Sequence, residues 1–180
     1  MSAGDRSADL AALTDLIVDV PDWPTPGVVF KDITPLLGSP DGLRQVVDAL
    51  TEPWADQGVT KVVGIEARGF LLAAPVAYHL DAGLVPVRKP DKLPRPVLSR
   101  SYDLEYGSST LAVHADAFSA GDRVLVVDDV LATGGTAAAT VALVEQAGAT
   151  VLGVAVLMEI SFLPWRAALA GVPVTALISV

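Results

Sequence analysis

The chain has 180 residues, a length that suits one domain, and 52% of them are hydrophobic, which supports a full core. Its formal charge of −9 and its pI near 4.5 argue against nucleic acid as a partner. No apolar run reaches the ~20 residues that span a bilayer, and the absence of cysteine excludes disulfides and thiolate zinc sites. The first residues, MSAGDRSADLAAL, lack the basic-then-apolar pattern of an export signal, so we expect a cytoplasmic protein.

The N-terminal part is predicted to contain two helices joined by a loop. Apolar residues recur on one face of residues 7–18, which predicts a short amphipathic helix. Residues 20–37 contain prolines and a glycine that forbid a regular helix, but also aromatic and branched side chains, so this loop should pack against the protein. Ser39 and Pro40 suit an N-cap and a first helical position, and the second helix should run to about Trp54.

The remaining chain is predicted to alternate strands with helices. Several strands are apolar on both faces, which favours an α/β fold with a mostly parallel sheet covered on two sides. Residues 89–109 show little apolar periodicity and many turn formers, so they predict a long flexible loop of the kind that covers active sites. The predicted strands are 60–65, 83–87, 110–114, 124–128, 151–158 and 172–180, and the predicted helices are 70–80, an alanine-rich helix ending near Gly148, and 165–170.

The most informative stretch is VLVVDDVLATGGTAAAT, residues 124–140. It is predicted to be a buried strand that ends on Asp128 and Asp129, followed by a Gly/Thr-rich turn and a helix. Backbone N–H groups of such a turn and of the helix N-terminus form an anion site. The acids would repel a phosphate, but they suit the hydroxyls of a neighbouring sugar, which donate hydrogen bonds to carboxylates. This order is typical of a 5-phosphoribosyl site, whereas an ordinary strand–turn–helix corner would leave two buried acids without a role.

Two other charged features follow strands of the same predicted sheet. The turn at residues 66–69, EARG, offers N–H groups and a guanidinium to a diphosphate; the alternative is a helix cap with a surface ion pair. Arg88, Lys89 and Lys92 would neutralise a departing pyrophosphate; the alternative is a solvated basic face. Because ligands bind beyond the carboxyl ends of parallel strands, we expect both features to converge with residues 128–136.

Further stretches match one known family in order and spacing. They are FKDITPLL at residues 30–37 and EARGF at 66–70. Three shorter stretches follow: RK at 88–89, KLP at 92–94 and YDLEYG at 102–107. With residues 128–136, they make the chain resemble the adenine phosphoribosyltransferases, a branch of the type I phosphoribosyltransferases, from about Pro21 to Met158. The resemblance implies the type I fold, a mostly parallel central sheet flanked by helices, in a single domain over residues 1–180. Residues 1–37 would include a hood that covers the base, and residues 89–109 a flexible catalytic loop.

The resemblance also implies the reaction and its partners. Adenine and 5-phosphoribosyl pyrophosphate (PRPP) would give AMP and pyrophosphate, a step of purine salvage. Mg²⁺ would be bound with PRPP and not directly by the protein. The protein would be a cytoplasmic homodimer with no nucleic-acid or membrane partner.

By position in the motifs, the resemblance assigns roles to individual residues. Adenine would contact Val29, Phe30 and Val130. The ribose hydroxyls would be held by Asp128 and Asp129, and the 5′-phosphate by Ala132, Thr133, Gly134, Gly135 and Thr136. Pyrophosphate would be addressed by Glu66, Ala67, Arg68, Arg88, Lys89 and Lys92. The corresponding turn of related enzymes contains a cis peptide bond that does not involve proline, so the resemblance implies that the Glu66–Ala67 bond is cis.

The catalytic residues implied are Glu105, Tyr106 and Arg68. From the residues alone, Glu105 is best interpreted as an exposed loop acid; the resemblance makes it the catalytic acid of the loop, with Tyr106 helping the loop to close. The chain departs from the family at Asp91, where glycine is common, and this acid adds a negative charge beside the pyrophosphate site.

Two other functions remain as alternatives. A phosphoribosyltransferase for 6-oxo purines usually reads the oxo group with a lysine in a C-terminal hood, and no lysine follows Lys92. A PRPP- or purine-sensing regulator would need a DNA-binding or partner segment, whereas the predicted elements leave no further domain for it and the net charge is negative.

Overall fold

The computed structural model describes residues 12–103 and 108–180. The chain divides into two compact units, residues 1–49 and residues 50–180. The single domain expected from the sequence stays a prediction. In the described part of the chain, no helix is both long enough and apolar enough to cross a bilayer.

The first unit contains a two-stranded hairpin, one short helix and most of a second helix. Strands β1 (Val18–Pro21) and β2 (Val29–Asp32) pair antiparallel, and helices α1 (Thr34–Gly38) and α2 (Pro40–Thr51) follow. Ser39 Oγ accepts a hydrogen bond of 3.1 Å from the N–H of Gly42, which confirms the predicted N-cap. A 3₁₀ turn (Glu52–Trp54) continues α2 to the predicted helix end.

Two predictions for this unit are wrong. Of the helix predicted over residues 7–18, residues 7–11 lie outside the described part of the chain and residues 12–14 are helical. The prediction is wrong at 15–18, where a turn leads to the strand that begins at Val18. The predicted loop at 20–37 contains the hairpin and α1. Proline does not prevent this hairpin, because Pro21 stands at the end of a two-stranded ribbon, where a missing N–H is tolerated. The connection is closed by a hydrogen bond of 2.7 Å from the Gly27 N–H to Asp22 Oδ1.

The second unit is built on a five-stranded parallel sheet in the order β4-β3-β7-β8-β9. The chain runs outward from β3 to β4 on one side and from β7 to β8 and β9 on the other. The switch point, where ligands bind in such sheets, therefore lies between β3 and β7. The elements are β3 (Lys61–Ile65), α3 (Gly69–His79), β4 (Gly83–Val87), β5 (Val97–Asp103), β6 (Ser108–His114), β7 (Arg123–Leu131), α4 (Gly135–Gln146), β8 (Thr150–Glu159), α5 (Trp165–Ala168) and β9 (Val174–Ser179).

The central strands are buried on both faces, as the sequence predicts for a covered parallel sheet. Residues 124–127 of β7 and 154–158 of β8 are fully buried. Helix α3 approaches β3 closely at Gly64, where a Cβ would lie 2.8 Å from the Cβ of Ala73. Strand β7 continues to Leu131, beyond the predicted end at Asp128, because β8 goes on pairing with it as far as Leu131 and Glu159. The two acids therefore lie inside β7.

The loop predicted over residues 89–109 is shorter in the structure. Strands β5 and β6 form an antiparallel hairpin, so the prediction is wrong for residues 97–103 and 108–109. Leu98 and Tyr102 share one face of β5 and pack on the core, whereas serines occupy the other face. Arg100 stands between Leu98 and Tyr102 on that face and interrupts the apolar alternation, so the strand signal in the sequence is weak. Residues 104–107 lie outside the described part of the chain.

Candidate active site

A cavity of about 250 Å³ opens at the switch point, at the carboxyl ends of β3 and β7. It is lined by residues 66–68 from the β3–α3 turn, residues 128–137 from β7 and the start of α4, and Val156 from β8. Two of the three charged features expected to converge are therefore brought together. Val156 was not predicted as a site residue; it reaches the cavity because it is the register partner of Asp128.

The predicted phosphate cradle is a tight turn followed by a helix N-terminus. Gly134 has φ +85, and a Cβ there would lie 3.1 Å from both the carbonyl oxygen of Trp165 and the Cβ of Ala168. Backbone conformation and space both require glycine at this position. The first N–H groups of α4 lack acceptors within the helix, and residues 134–137 line the cavity. This arrangement can bind an anion.

The two acids of β7 lie next to this cradle and are held in a network. The Asp129 N–H donates to Asp128 Oδ1 at 2.9 Å. Asp129 is only 4% exposed, and Arg68 Nε lies 2.9 Å from its Oδ2. Burial raises the pKa of both carboxyls. The charge of Asp129 raises the pKa of Asp128 further, whereas the Arg68 guanidinium offsets part of the increase at Asp129.

The β3–α3 turn reaches these acids because Gly69 leaves room. A Cβ on Gly69 would lie 2.7 Å from Asp128 Oδ1 and 3.0 Å from the carbonyl oxygen of Val127. The preceding peptide bond Glu66–Ala67 is cis, as the family resemblance implied. The turn therefore brings Arg68 against Asp129, although 61 positions separate them in the sequence.

The basic cluster of Arg88, Lys89 and Lys92 is linked to the cavity lining by hydrogen bonds to Glu66. Glu66 Oε2 accepts hydrogen bonds from Arg88 Nε at 3.1 Å and from the Lys89 N–H at 3.0 Å. Burial would raise the pKa of Glu66, but these hydrogen bonds and the nearby positive charges together lower it. Arg88 also donates to the carbonyl oxygen of Lys92 at 3.0 Å. In this structure Glu66 therefore holds the Arg88 guanidinium and the backbone of Lys89 at the cavity wall.

Asp91, in the same cluster, has φ +63. This is the left-handed region that favours glycine, which gives a physical reason for the glycine common at that position. Asp91 occupies it because aspartate tolerates that conformation better than most residues.

The remaining predicted residues fall in three places. Val130 lines the cavity. Val29 and Phe30 belong to the first unit, where the Phe30 ring packs edge-on against Trp23 with centroids 4.3 Å apart. Glu105 and Tyr106 lie outside the described residues. A residue that sequence reasoning missed is Tyr102, whose hydroxyl lies 3.0 Å from Thr136 Oγ1.

Known proteins resemble the chain in sequence and in fold. The family described as the phosphoribosyl transferase domain matches residues 43–161. The adenine phosphoribosyltransferase of Frankia casuarinae is 56% identical over 182 residues, which cover 99% of this chain and 97% of that protein. The adenine phosphoribosyltransferase of Streptomyces coelicolor is 59% identical over 172 residues, which cover 93% of this chain and 94% of that protein. The crystal structure of the adenine phosphoribosyltransferase from Rhodothermus marinus superposes with a TM-score of 0.93 at 54% identity, covering 97% of this chain and 99% of that one.

The parallel sheet, its switch point and the anion cradle after two acids define a type I phosphoribosyltransferase, and the predicted fold class is confirmed. Within that class, identities of 54–59% over nearly the whole chain settle the branch. The chain belongs to the adenine phosphoribosyltransferase family, as its motifs predicted.

Proposed function

We propose that the chain transfers the 5-phosphoribosyl group from PRPP to adenine, giving AMP and pyrophosphate, and so serves purine salvage. Membership of the family confirms the reaction predicted from the sequence. The observation that carries the proposal is the cavity at the switch point, where two acids stand directly before an anion cradle.

The cavity suits the sugar phosphate part of PRPP. The 5′-phosphate would lie in the cradle of residues 132–136, where N–H groups and hydroxyls donate to it. The ribose hydroxyls would donate to Asp128 and Asp129, which must be ionised to accept both bonds well. Arg68, which pairs with Asp129 in this structure, would then also face the pyrophosphate.

The reaction breaks the bond between ribose C1 and a pyrophosphate oxygen, and the electron pair leaves with pyrophosphate. Adenine forms the new bond to C1 through a ring nitrogen, which loses its proton. Arg68 and the cluster of Arg88, Lys89 and Lys92 would stabilise the charge that develops on the leaving group. Glu105 would stabilise the positive centre at C1 or receive the proton, and Tyr106 would help the loop exclude water.

By their positions in the motifs, Val29, Phe30 and Val130 are proposed to contact adenine. Val29 and Phe30 would supply apolar contact, and main-chain groups near Val29 would read the edge of the base. An acceptor facing the exocyclic amine discriminates against a 6-oxo purine, because that purine would leave a buried polar group unpaired.

The donor set of the cavity fits a magnesium ion that enters with PRPP. Mg²⁺ prefers oxygen ligands and usually combines one or two carboxylates with substrate phosphates and water. Within residues 12–103 and 108–180, no three histidine or acidic side chains cluster to bind a metal. PRPP would supply most of the oxygens, with Asp128 and Asp129 close by. When bound, Mg²⁺ would neutralise charge on the departing pyrophosphate. The homodimer and the cytoplasmic location stay predictions.

The proposed reaction is tested by measuring AMP formation from adenine and PRPP with Mg²⁺. Hypoxanthine, guanine and a reaction without base are run in parallel. We expect product from adenine alone. Faster reaction with hypoxanthine or guanine would overturn the choice of base, and PRPP binding without product from any base would favour the sensor function.

Replacing Glu66 with alanine should weaken pyrophosphate binding by about tenfold, a magnitude that corresponds to hydrogen bonds with charged groups. The substitution releases Arg88 and the Lys89 N–H, which Glu66 now orients. The measurement is product inhibition by pyrophosphate. Glu145→Ala, which removes an exposed acid of α4, is the control and should change nothing. Equal inhibition of the Glu66 variant and the wild type would exclude this orienting role.

A further inference from the structure

Tyr102 contacts the anion cradle from a separate element. Its hydroxyl lies 3.0 Å from Oγ1 of Thr136; Tyr102 stands on β5, whereas Thr136 is in the first turn of α4. We propose that Tyr102 is a positioning residue for the 5′-phosphate, because its hydroxyl directs the Thr136 proton towards that phosphate. The inference rests on the proposed function, which places the 5′-phosphate in the cradle.

Counting hydrogen-bond donors fixes the direction of this contact. Either hydroxyl can donate in the ligand-free protein. A phosphate that carries two negative charges only accepts, and the Thr136 hydroxyl has a single proton. If Thr136 donated that proton to Tyr102, it would have none for the phosphate. When phosphate binds, Tyr102 must therefore donate to Thr136, and Thr136 donates onward. Such a chain strengthens each of its bonds, because each donor is polarised by the next.

Both partners are held in place by their own elements. Tyr102 pairs with Ser109 in the β5–β6 hairpin and packs, with Leu98, against the core of the second unit. The carbonyl oxygen of Thr136 accepts a hydrogen bond of 2.9 Å from Oγ1 of Thr140, a residue with no exposed surface. The geometry is thus set before any ligand arrives, which is the condition under which one hydrogen bond improves binding.

The test removes only the Tyr102 hydroxyl, with Tyr102→Phe. We expect the Kd for ribose 5-phosphate and the KM for PRPP to rise about fivefold, the effect of one hydrogen bond. The KM for adenine and the kcat should stay unchanged, because neither depends on the 5′-phosphate contact alone. Tyr78→Phe is the matched control, since the Tyr78 side chain is 84% exposed and lies on α3.

A double-mutant cycle separates positioning from a general structural effect. In a Thr136→Ala background, Tyr102→Phe should cause no further loss of ribose 5-phosphate affinity, whereas in Thr136→Ser, which keeps the hydroxyl, the loss should persist. Additive losses in the Thr136→Ala background, or equal affinity of Tyr102→Phe and wild type, would overturn the inference. Failure of the wild type itself to bind PRPP and ribose 5-phosphate would instead overturn the proposed function.

Discussion

Asp128→Asn is expected to stabilise the folded protein and, at the same time, to weaken PRPP binding about 10- to 100-fold. Burial and the charge of Asp129 both raise the pKa of Asp128, so its ionised form is unfavourable in the folded state. Asparagine removes that charge and keeps the oxygen that accepts the Asp129 N–H. The affinity falls because a neutral amide accepts the ribose hydroxyl bonds less strongly than a carboxylate.

The pH dependence of the stability gain follows from the direction of the shift. A carboxyl whose pKa is higher in the folded than in the unfolded state favours folding below its unfolded pKa. This contribution is lost as the pH rises through the folded pKa. The gain of the asparagine variant should therefore be small in acid and largest above the raised pKa. The wild-type protein should lose PRPP affinity on acidification as Asp128 becomes protonated. Because the pKa of Asp128 is raised, this loss should begin at a higher pH than it would with an aspartate of ordinary pKa.

Thermal unfolding across a pH series and calorimetric titration with PRPP and Mg²⁺ measure the two effects. Asp56→Asn, which neutralises an exposed acid of the same unit, is the control and should alter neither quantity. A less stable Asp128→Asn protein at neutral pH would contradict the electrostatic argument. Unchanged PRPP affinity would remove Asp128 from the ribose site.

The features that the sequence predicted well are those encoded over short distances. The strand Gly83–Val87 has the predicted bounds, and the Ser39 cap and the cradle after β7 depend on neighbouring residues. Fold class and family could be predicted because the motifs that carry the resemblance are also local, and the comparisons with known proteins confirm both. The hairpins were missed because β1 and β2 have only four residues each and β5 carries Arg100 on the same face as Leu98 and Tyr102, so neither hairpin gives clear alternation.

The features that sequence missed depend on contacts between distant positions. Glu66 was assigned to pyrophosphate by its place in the turn, yet its partner Arg88 stands 22 positions away. Tyr102 and Thr136 are 34 positions apart. Residue type and spacing cannot supply such pairs. The parallel pairing of β3 with β4, in which Ile65 lies opposite Val87, brings Glu66 to Arg88, and the packing of β5 on α4 brings Tyr102 to Thr136. The roles of the individual site residues remain predictions.

Gly69→Ala is expected to lower the free energy of unfolding by about 1–3 kcal/mol, the usual cost of overpacking, and to weaken PRPP binding as well. The new Cβ would lie 2.7 Å from Asp128 Oδ1, 3.0 Å from the carbonyl oxygen of Val127 and 3.3 Å from the Asp128 Cα. Two of these three atoms belong to the backbone of a buried central strand, so relief requires moving either β7 or the turn. Both movements displace Asp128 relative to Arg68.

The sign of this effect is diagnostic, because glycine to alanine in a helix ordinarily stabilises by up to ~1 kcal/mol. Gly38 at the end of α1 is the matched control: a Cβ there meets no atom within 4 Å, and alanine should be neutral or stabilising. Chemical denaturation gives the free energy of unfolding, and titration gives the PRPP affinity. Stability and affinity should fall together at Gly69, whereas at Asp128 they should change in opposite directions. If Gly69→Ala kept full stability and affinity, the close approach of the turn to β7 would not be what positions Asp128.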